Sequence, residues 1–441
     1  MNHDVRATAA VVLGKVLRGA SLNTLLPAAL DAMDPRDRGL LQQLCYGTLR
    51  QAPRLQGLLQ RLLDKPLRDK DSDIQALLLC GLYQLDALRV PDHAAVAATV
   101  NATKTLKKPW AKGMTNAVLR RYLRERETLE PGLDEAEALA HPAWLLGMLK
   151  KQWPDHWQQI IDANNGQPPM TLRVNTQRLT REEALQRLAS AGIESVAGTI
   201  APHAIVLGAP RDVEEIPGFS AGDFSVQDES AQMAAELLEA APGERILDAC
   251  SAPGGKTCHI LELQPALAEM VAMDLDSQRL QRVEENLQRL SLQATLVTGD
   301  GAKPPATLAA RSFDRILVDA PCSASGVIRR HPDIKVLRRP DDSAGFAQQQ
   351  LDILQGVWPL LRPGGSLLYV TCSILRTENS DVVLRFLDTQ ADARLQDLAT
   401  PWGHKAGAGR QLLPTTDGGD GLFFARLTKT ATVQGSVVRP V

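Results

Sequence analysis

The strongest constraint on the fold is an alternation that runs through the second half of this 441-residue chain. Short apolar runs at 245–249, 270–274, 294–298, 315–319 and 366–370 are separated by helical patterns, among them 277–290 and 343–361. Short strands that are apolar throughout are buried on both faces, and with helices between them they build a parallel sheet covered by helices. Residues 226–430 are therefore expected to form an α/β domain, a mostly parallel, doubly wound sheet of the Rossmann-like kind. Ligands of such sheets bind at the carboxyl ends of the strands, and the motifs of this chain fall at those ends.

The first such end is Asp248-Ala249-Cys250-Ser251-Ala252-Pro253-Gly254-Gly255-Lys256. Gly254-Gly255 follows a strand and opens a helix, so the backbone there can approach a ligand closely. The spacing is neither the Gly-x-Gly-x-x-Gly of dinucleotide binders nor a P-loop. Asp274 ends the next strand, where a carboxylate can accept from a ribose hydroxyl. Asp300, in Thr298-Gly299-Asp300-Gly301, ends the third and can reach an adenine amino group. A loop of glycines and two acids fits S-adenosylmethionine as well as it fits a nucleotide cofactor.

Two cysteine frames break that tie. Cys322 stands in Asp319-Ala320-Pro321-Cys322-Ser323 and Cys372 in Thr371-Cys372-Ser373, each at a strand end. Alone, Cys322 reads equally well as a packing thiol, because cysteine is among the most buried residue types. Two thiols facing one cleft point to covalent attack on a substrate, with a second group to undo it. Carbon 5 of a pyrimidine is a weak nucleophile. Thiolate addition at carbon 6 pushes electrons to carbon 5, which then attacks a sulfonium methyl group. Asp319 can bond the ring nitrogen and exocyclic amine, and holding a proton there would require a raised pKa. Of the other thiols, Cys45 and Cys80 lie on apolar helical faces, and Cys250 and Cys258 have no nucleophile's setting.

The first 130 residues read as an all-helical bundle. Asp34-Pro35 opens one helix, carried on by Leu40, Leu41, Leu44, Cys45 and Leu49, and Asp92 opens another. This part holds 20 Lys+Arg against 13 Asp+Glu, a net +7, whereas the remainder carries −9. Lys104, Lys107, Lys108 and Lys112 cluster around Pro109-Trp110, with Arg120, Arg121, Arg124 and Arg126 following. Such a basic front suits a polyanion. Residues 131–225 read as a small α/β connecting subdomain, with strands at 170–175 and near 204–207 and a capping box from Thr180 to Glu183. Residues 431–441 read as a loose tail. Six cysteines without a Cys-x-x-Cys pair, and Cys258-His259 without a second ligand pair, predict a reduced, metal-free protein. With no signal-peptide pattern and no long apolar run, a soluble cytoplasmic protein without membrane contact is expected.

These frames, with Pro168-Pro169-Met170-Thr171-Leu172-Arg173-Val174-Asn175, Gln227-Asp228-Glu229-Ser230-Ala231, Gly326-Val327-Ile328-Arg329-Arg330-His331-Pro332-Asp333 and Asp420-Gly421-Leu422-Phe423-Phe424, resemble the bacterial RNA cytosine-5 methyltransferases of the NOL1/NOP2/Sun group. Within that group the chain is most similar to the 16S ribosomal RNA methyltransferase B (Sun/Fmu) family, over nearly its whole length. The resemblance implies an S-adenosylmethionine site formed by Cys250, Ser251, Ala252, Pro253, Gly254, Gly255 and Lys256 with Asp274, Asp300 and Asp319. It implies Cys372 as nucleophile and Cys322 as the residue that frees the product, an order that spacing alone does not decide. It further implies a NusB-like RNA-binding front and a 16S rRNA substrate, usually the cytosine at position 967. Ser251 departs from the alanine common in that loop. Reaching such a cytosine means flipping it from the RNA, and Arg329 and Arg330 are candidates to grip the flanking phosphates, or else form a solvated loop. A monomer is expected. Two alternatives stand beside this reading: a tRNA cytosine-5 methyltransferase, or a non-catalytic RNA-binding or antitermination factor.

Overall fold

Among the residues described by this computed structural model, 4–309 and 312–430, the amino-terminal part of the chain is helical throughout. Helix Pro35–Arg50 starts where its signal lies: the Asp34 carboxylate accepts from the Arg36 amide at 3.0 Å, and Pro35 in the first turn leaves no amide hydrogen wanting a partner. Helix Ser72–Ala87 runs through the core, burying Ile74, Leu77, Leu78, Leu82 and Leu85. Cys45 and Cys80 are buried in the same core, and burial pushes the Cys80 thiol up to about 12, which leaves it inert packing. No described helix is long and apolar enough to cross a membrane. The tail at 431–441 lies outside the described residues.

Contacts divide the chain into two units, the first of which runs to Gln167 and takes in Ile328–Pro340. Within it the Asp333 carboxylate accepts from the Leu22 amide at 3.0 Å and the Ser21 hydroxyl at 3.3 Å, capping helix Leu22–Asp31, where Ser21 makes no cap of its own. Lys335 is buried and donates to the Arg50 carbonyl at 2.9 Å and to Asn165 Oδ1 at 2.5 Å. Arg50 donates to the Arg329 carbonyl at 2.9 Å, and the Arg329 side chain is 1% exposed. This corrects the expectation of a phosphate grip at Arg329, because a guanidinium withdrawn from water cannot meet a polyanion arriving from solvent.

The second unit holds two sheets. The smaller is antiparallel, with strands β1 (Thr171–Val174), β2 (Ser195–Ala197), β3 (Ala204–Leu207) and β4 (Phe224–Val226) in the order β2-β3-β1-β4. Helix Arg181–Ser190 packs on it, opened by the expected capping box of Thr180 and Glu183. All four residues of β1 are buried, including Arg173. Arg173 spends its five N–H donors on Glu262 (two bonds at 2.8 Å), Gln227 (2.6 Å), the Gly255 carbonyl (2.7 Å) and Ser225 (3.3 Å). We expect Arg173→Met to cost about 3–5 kcal/mol, because it strands the buried Glu262 carboxylate. Adding Glu262→Met should recover much of that. Denaturant midpoints of the two variants measure both, and a single variant as stable as the unaltered protein would refute it.

The larger sheet contains β5 (Arg245–Asp248), β6 (Glu269–Asp274), β7 (Thr295–Thr298), β8 (Phe313–Asp319), β9 (Leu361–Thr371), β10 (Ala393–Gln396), β11 (His404–Lys405), β12 (Arg410–Leu412) and β13 (Leu422–Lys429). Its order is β11-β12-β13-β9-β8-β5-β6-β7, with β10 also paired to β13. The five strands β5–β9 are parallel, as expected. Beyond them β13 runs antiparallel to β9, pairing Phe423 with Thr371 and Thr428 with Ser366, so the sheet is mixed. Chain order reverses between β5 and β8, which opens a crevice at their carboxyl ends.

Candidate functional site

A cleft of about 290 Å³ lies at that crevice. Its lining comes from every strand end named by the motifs: Cys250 and Ala252 after β5, Asp274 on β6, Asp300 after β7, Asp319 and Cys322 at β8, and Cys372 after β9. Parallel strands ending together bring these residues, 122 positions apart at the extremes of sequence (250 to 372), to one wall.

The cysteine sulfurs lie 3.3 Å apart. Cys322 is 8% exposed and Cys372 is half-buried. Hydrogen bonding to Cys372, then burial, push the Cys322 thiol well above its ordinary range. Lys256 reaches Asp319 Oδ2 at 2.5 Å. Burial alone would lower the pKa of Lys256; the Asp319 carboxylate outweighs it, Cys372 adds to the pull, and the ammonium is held above its usual range. The Cys372 sulfur thus has the Cys322 thiol against it and the Lys256 ammonium within electrostatic reach.

The remaining loop residues do other work. Pro253, Gly254, Gly255 and Lys256 do not line the cleft, nor does Ser251, which is buried. Gly254 has φ of 99°, and a Cβ there would lie 3.1 Å from Val283 on helix Ser277–Leu290, so its bare face serves close packing. The Gly255 carbonyl is the one held by Arg173. Asp274 accepts from the Ala252 amide at 3.0 Å and so shapes the loop as well as lining the cleft. Burial pushes the Cys250 thiol up and takes Cys258 to about 12, so neither is poised to attack.

Three features were missed by reasoning from sequence. Asp248, the last residue of β5, is fully buried, bonded by Thr257 Oγ1 at 2.6 Å, with its Oδ1 unpartnered. Burial, against the Thr257 bond and with help from Asp319, pushes its carboxyl up to about 7. Its place as the strand's last residue, just before the loop, was the available signal. In the cleft itself, Asp274 and Asp300 fit a ligand bearing hydroxyls and an amino group, as S-adenosylmethionine does. Gln350, on helix Asp342–Val357, donates to the Pro321 carbonyl at 2.9 Å and pins the turn carrying Cys322.

Glu378 is the third. It is fully buried and accepts from the Ser323 amide at 2.6 Å and from the Ser373 hydroxyl at 3.2 Å, one residue after each cysteine. Nothing in the local sequence marks it. The two cysteine loops also meet at Gly326, whose amide donates to the Cys372 carbonyl and whose carbonyl accepts from the Gly421 amide, both at 2.9 Å. A Cβ at Gly326 would lie 2.1 Å from the Gly421 oxygen, so only glycine fits there.

Comparison with known proteins gives three family matches along the chain. The NusB family matches residues 3–124, an RsmF/B-like ferredoxin-like domain 141–214, and the 16S rRNA methyltransferase RsmB/F family 235–428. Ribosomal RNA small subunit methyltransferase B of Pseudomonas syringae pv. tomato is 51% identical over 434 residues, covering 97% of either chain. The protein of that name in Pseudomonas putida is 52% identical over 432 residues, covering 98% of either. Among solved structures, that of PH0851 superposes with a TM-score of 0.84 at 22% identity, covering 97% of this chain and all of the other. NSun6 from Pyrococcus horikoshii with SFG gives 0.59 at 21%, covering 66% and 98%. Those two structures bear on the fold alone.

Proposed function

We propose that this chain, which belongs to the ribosomal RNA small subunit methyltransferase B family, methylates carbon 5 of a cytosine in 16S rRNA with S-adenosylmethionine as donor, the target being position 967. The observation that carries the chemistry is the 3.3 Å approach of the Cys322 and Cys372 sulfurs beside a cleft at five strand ends.

Cys372 adds to carbon 6 of the flipped base, and the electron pair of the carbon 5–carbon 6 bond moves onto carbon 5. Asp319 accepts from the exocyclic amine and orients the base, and the Lys256 ammonium bonded to it opposes the negative charge that develops on the ring. S-adenosylmethionine would supply the electrophilic methyl group that carbon 5 takes up, its sulfonium leaving as the neutral thioether; Asp274 and Asp300 would hold its sugar and base, with Cys250 and Ala252 along the wall. The carbon 5 proton must then leave, its electron pair rebuilding the double bond as the Cys372 sulfur departs as thiolate. Cys322 is placed to take that proton once its own thiol hydrogen has passed to water, and it ends the step as the thiol again. Its leading reason for staying protonated is Cys372 itself, and that influence falls away once Cys372 is bonded to the ring.

Cys322→Ala is therefore expected to methylate but not release, leaving a denaturant-resistant band of protein bound to 16S rRNA. A band formed by Cys372→Ala instead would exchange the two roles. Bisulfite sequencing of 16S rRNA from cells lacking this protein tests the target, and full methylation at position 967 in those cells would overturn it. A tRNA substrate would show in the same experiment run on tRNA.

A further inference from the structure

Residues 93–124 carry seven basic side chains and not one acidic residue. The structure separates those seven into two groups. Lys108 and Arg121 are consumed within the fold: Lys108 pairs with Asp71 at 2.9 Å and Asp73 at 2.6 Å, and Arg121 with Glu125 at 2.9 Å. Lys104, Lys107, Lys112, Arg120 and Arg124 are exposed, and none of them forms an ion pair among the described residues. Lys112, Asn116, Arg120 and Arg124 recur at intervals of four along helix Ala111–Leu129, each beside the next on one inclined ridge. Arg120 donates to Asn116 Oδ1 at 3.0 Å, which holds its guanidinium along that ridge.

At the ridge's amino-terminal end stands Trp110, 56% exposed, the one aromatic among the strongly exposed large apolar side chains of the described residues. Indole is usually buried for its large apolar area, so its presentation to water within a basic stretch of chain that carries no acid suits a partner that is both anionic and flat-faced. The turn before it shows the same bias. Lys107 adopts φ of 56° where helix Asp92–Thr105 ends, its amide bonding to the Lys104 carbonyl at 2.9 Å. That left-handed position ordinarily takes glycine, so a lysine there keeps its charge at a steric cost.

We propose that this ridge and turn form a track for an unpaired RNA strand, with Trp110 stacked on a base and Lys104, Lys107, Lys112, Arg120 and Arg124 along the phosphates. Regular charge with one exposed aromatic is what single-stranded nucleic acid requires, since every base has a stacking face and every linkage a charge. The proposal rests on the rRNA reading above and extends it to a second contact on the substrate, made outside the methyl-transfer cleft.

The test uses the full chain and a fluorescein-labelled 20-nucleotide oligouridylate, which contains no cytosine, read by anisotropy across a salt series. Trp110→Ala should weaken binding about ten-fold, and Trp110→Phe should keep most of it, because stacking is tolerant of ring type. Lys107→Ala with Lys112→Ala should flatten the slope of log K against log salt by about 1.4, roughly 0.7 for each phosphate contact on a single strand. Both sites are exposed, and unchanged circular dichroism confirms folding. Unaltered affinity in Trp110→Ala, or an unaltered slope in the lysine pair, overturns the track. Methyl transfer to 16S rRNA by the unaltered protein is measured alongside. Its absence would sink the functional reading while leaving the strand-binding result legible.

Discussion

Cys372→Ala is expected to lose methyl transfer to 16S rRNA by at least about 10⁴-fold, the scale seen when a covalent nucleophile is removed, while S-adenosylmethionine binding stays measurable. The assignment turns on how the two neighbouring sulfurs differ in exposure and in partners. Cys322 is the more buried, and its thiol is driven up by its bond to Cys372. Cys372 is half-buried, and the raised Lys256 ammonium feels its charge. Both sulfurs line the cleft, and the more open one, Cys372, is the one placed to attack. Cys372→Ser should not rescue the loss, because a hydroxyl holds its proton far more tightly than a thiol. Methyl incorporation from labelled donor, followed beside equilibrium binding of the donor, separates chemistry from cofactor loss. Substantial turnover by Cys372→Ala would end the covalent scheme built on this residue.

Much of this arrangement could be read from sequence because its signals are local. Helix Ser277–Leu290 has the bounds its pattern predicts, with Leu280, Val283, Leu287 and Leu290 buried on one side. The strands β5–β8 fall on the predicted apolar runs, and a parallel sheet then places their ends together by topology alone. What was illegible depends on long-range partners. Arg173 sits in a run that reads as an alternating strand, yet it is buried because Glu262, 89 positions on, neutralises it. Arg329 reads as an exposed basic residue but is enclosed. The antiparallel edge made by β10–β13 escaped notice because those strands are short or, in β13, buried at six successive positions, without the alternation that marks a half-exposed strand.

Glu378 belongs with these, and its removal is the second large effect expected. One carboxylate holds the loops of both cysteines through Ser323 and Ser373, while the Tyr369 hydroxyl donates to its main-chain carbonyl at 2.6 Å and Asn379 beside it donates to the Ser373 carbonyl at 2.9 Å. Glu378→Ala removes the acceptor of the Ser323 amide and one partner of the Ser373 hydroxyl, which Ser325 still meets at 3.0 Å, so the 3.3 Å sulfur spacing loses the one carboxylate that ties both loops. A displacement of about 1 Å at reacting atoms costs on the order of 10²-fold in rate. We expect a fall of that size in kcat, with KM for RNA and donor affinity little changed, because Glu378 does not line the cleft. Glu378→Gln retains one carbonyl oxygen for the Ser323 amide and offers its amide group to Ser373, so it should recover most of the rate. A role confined to stability would give a different pattern: melting temperature and rate would fall together, and at temperatures where Glu378→Ala is fully folded its kcat would match the unaltered protein.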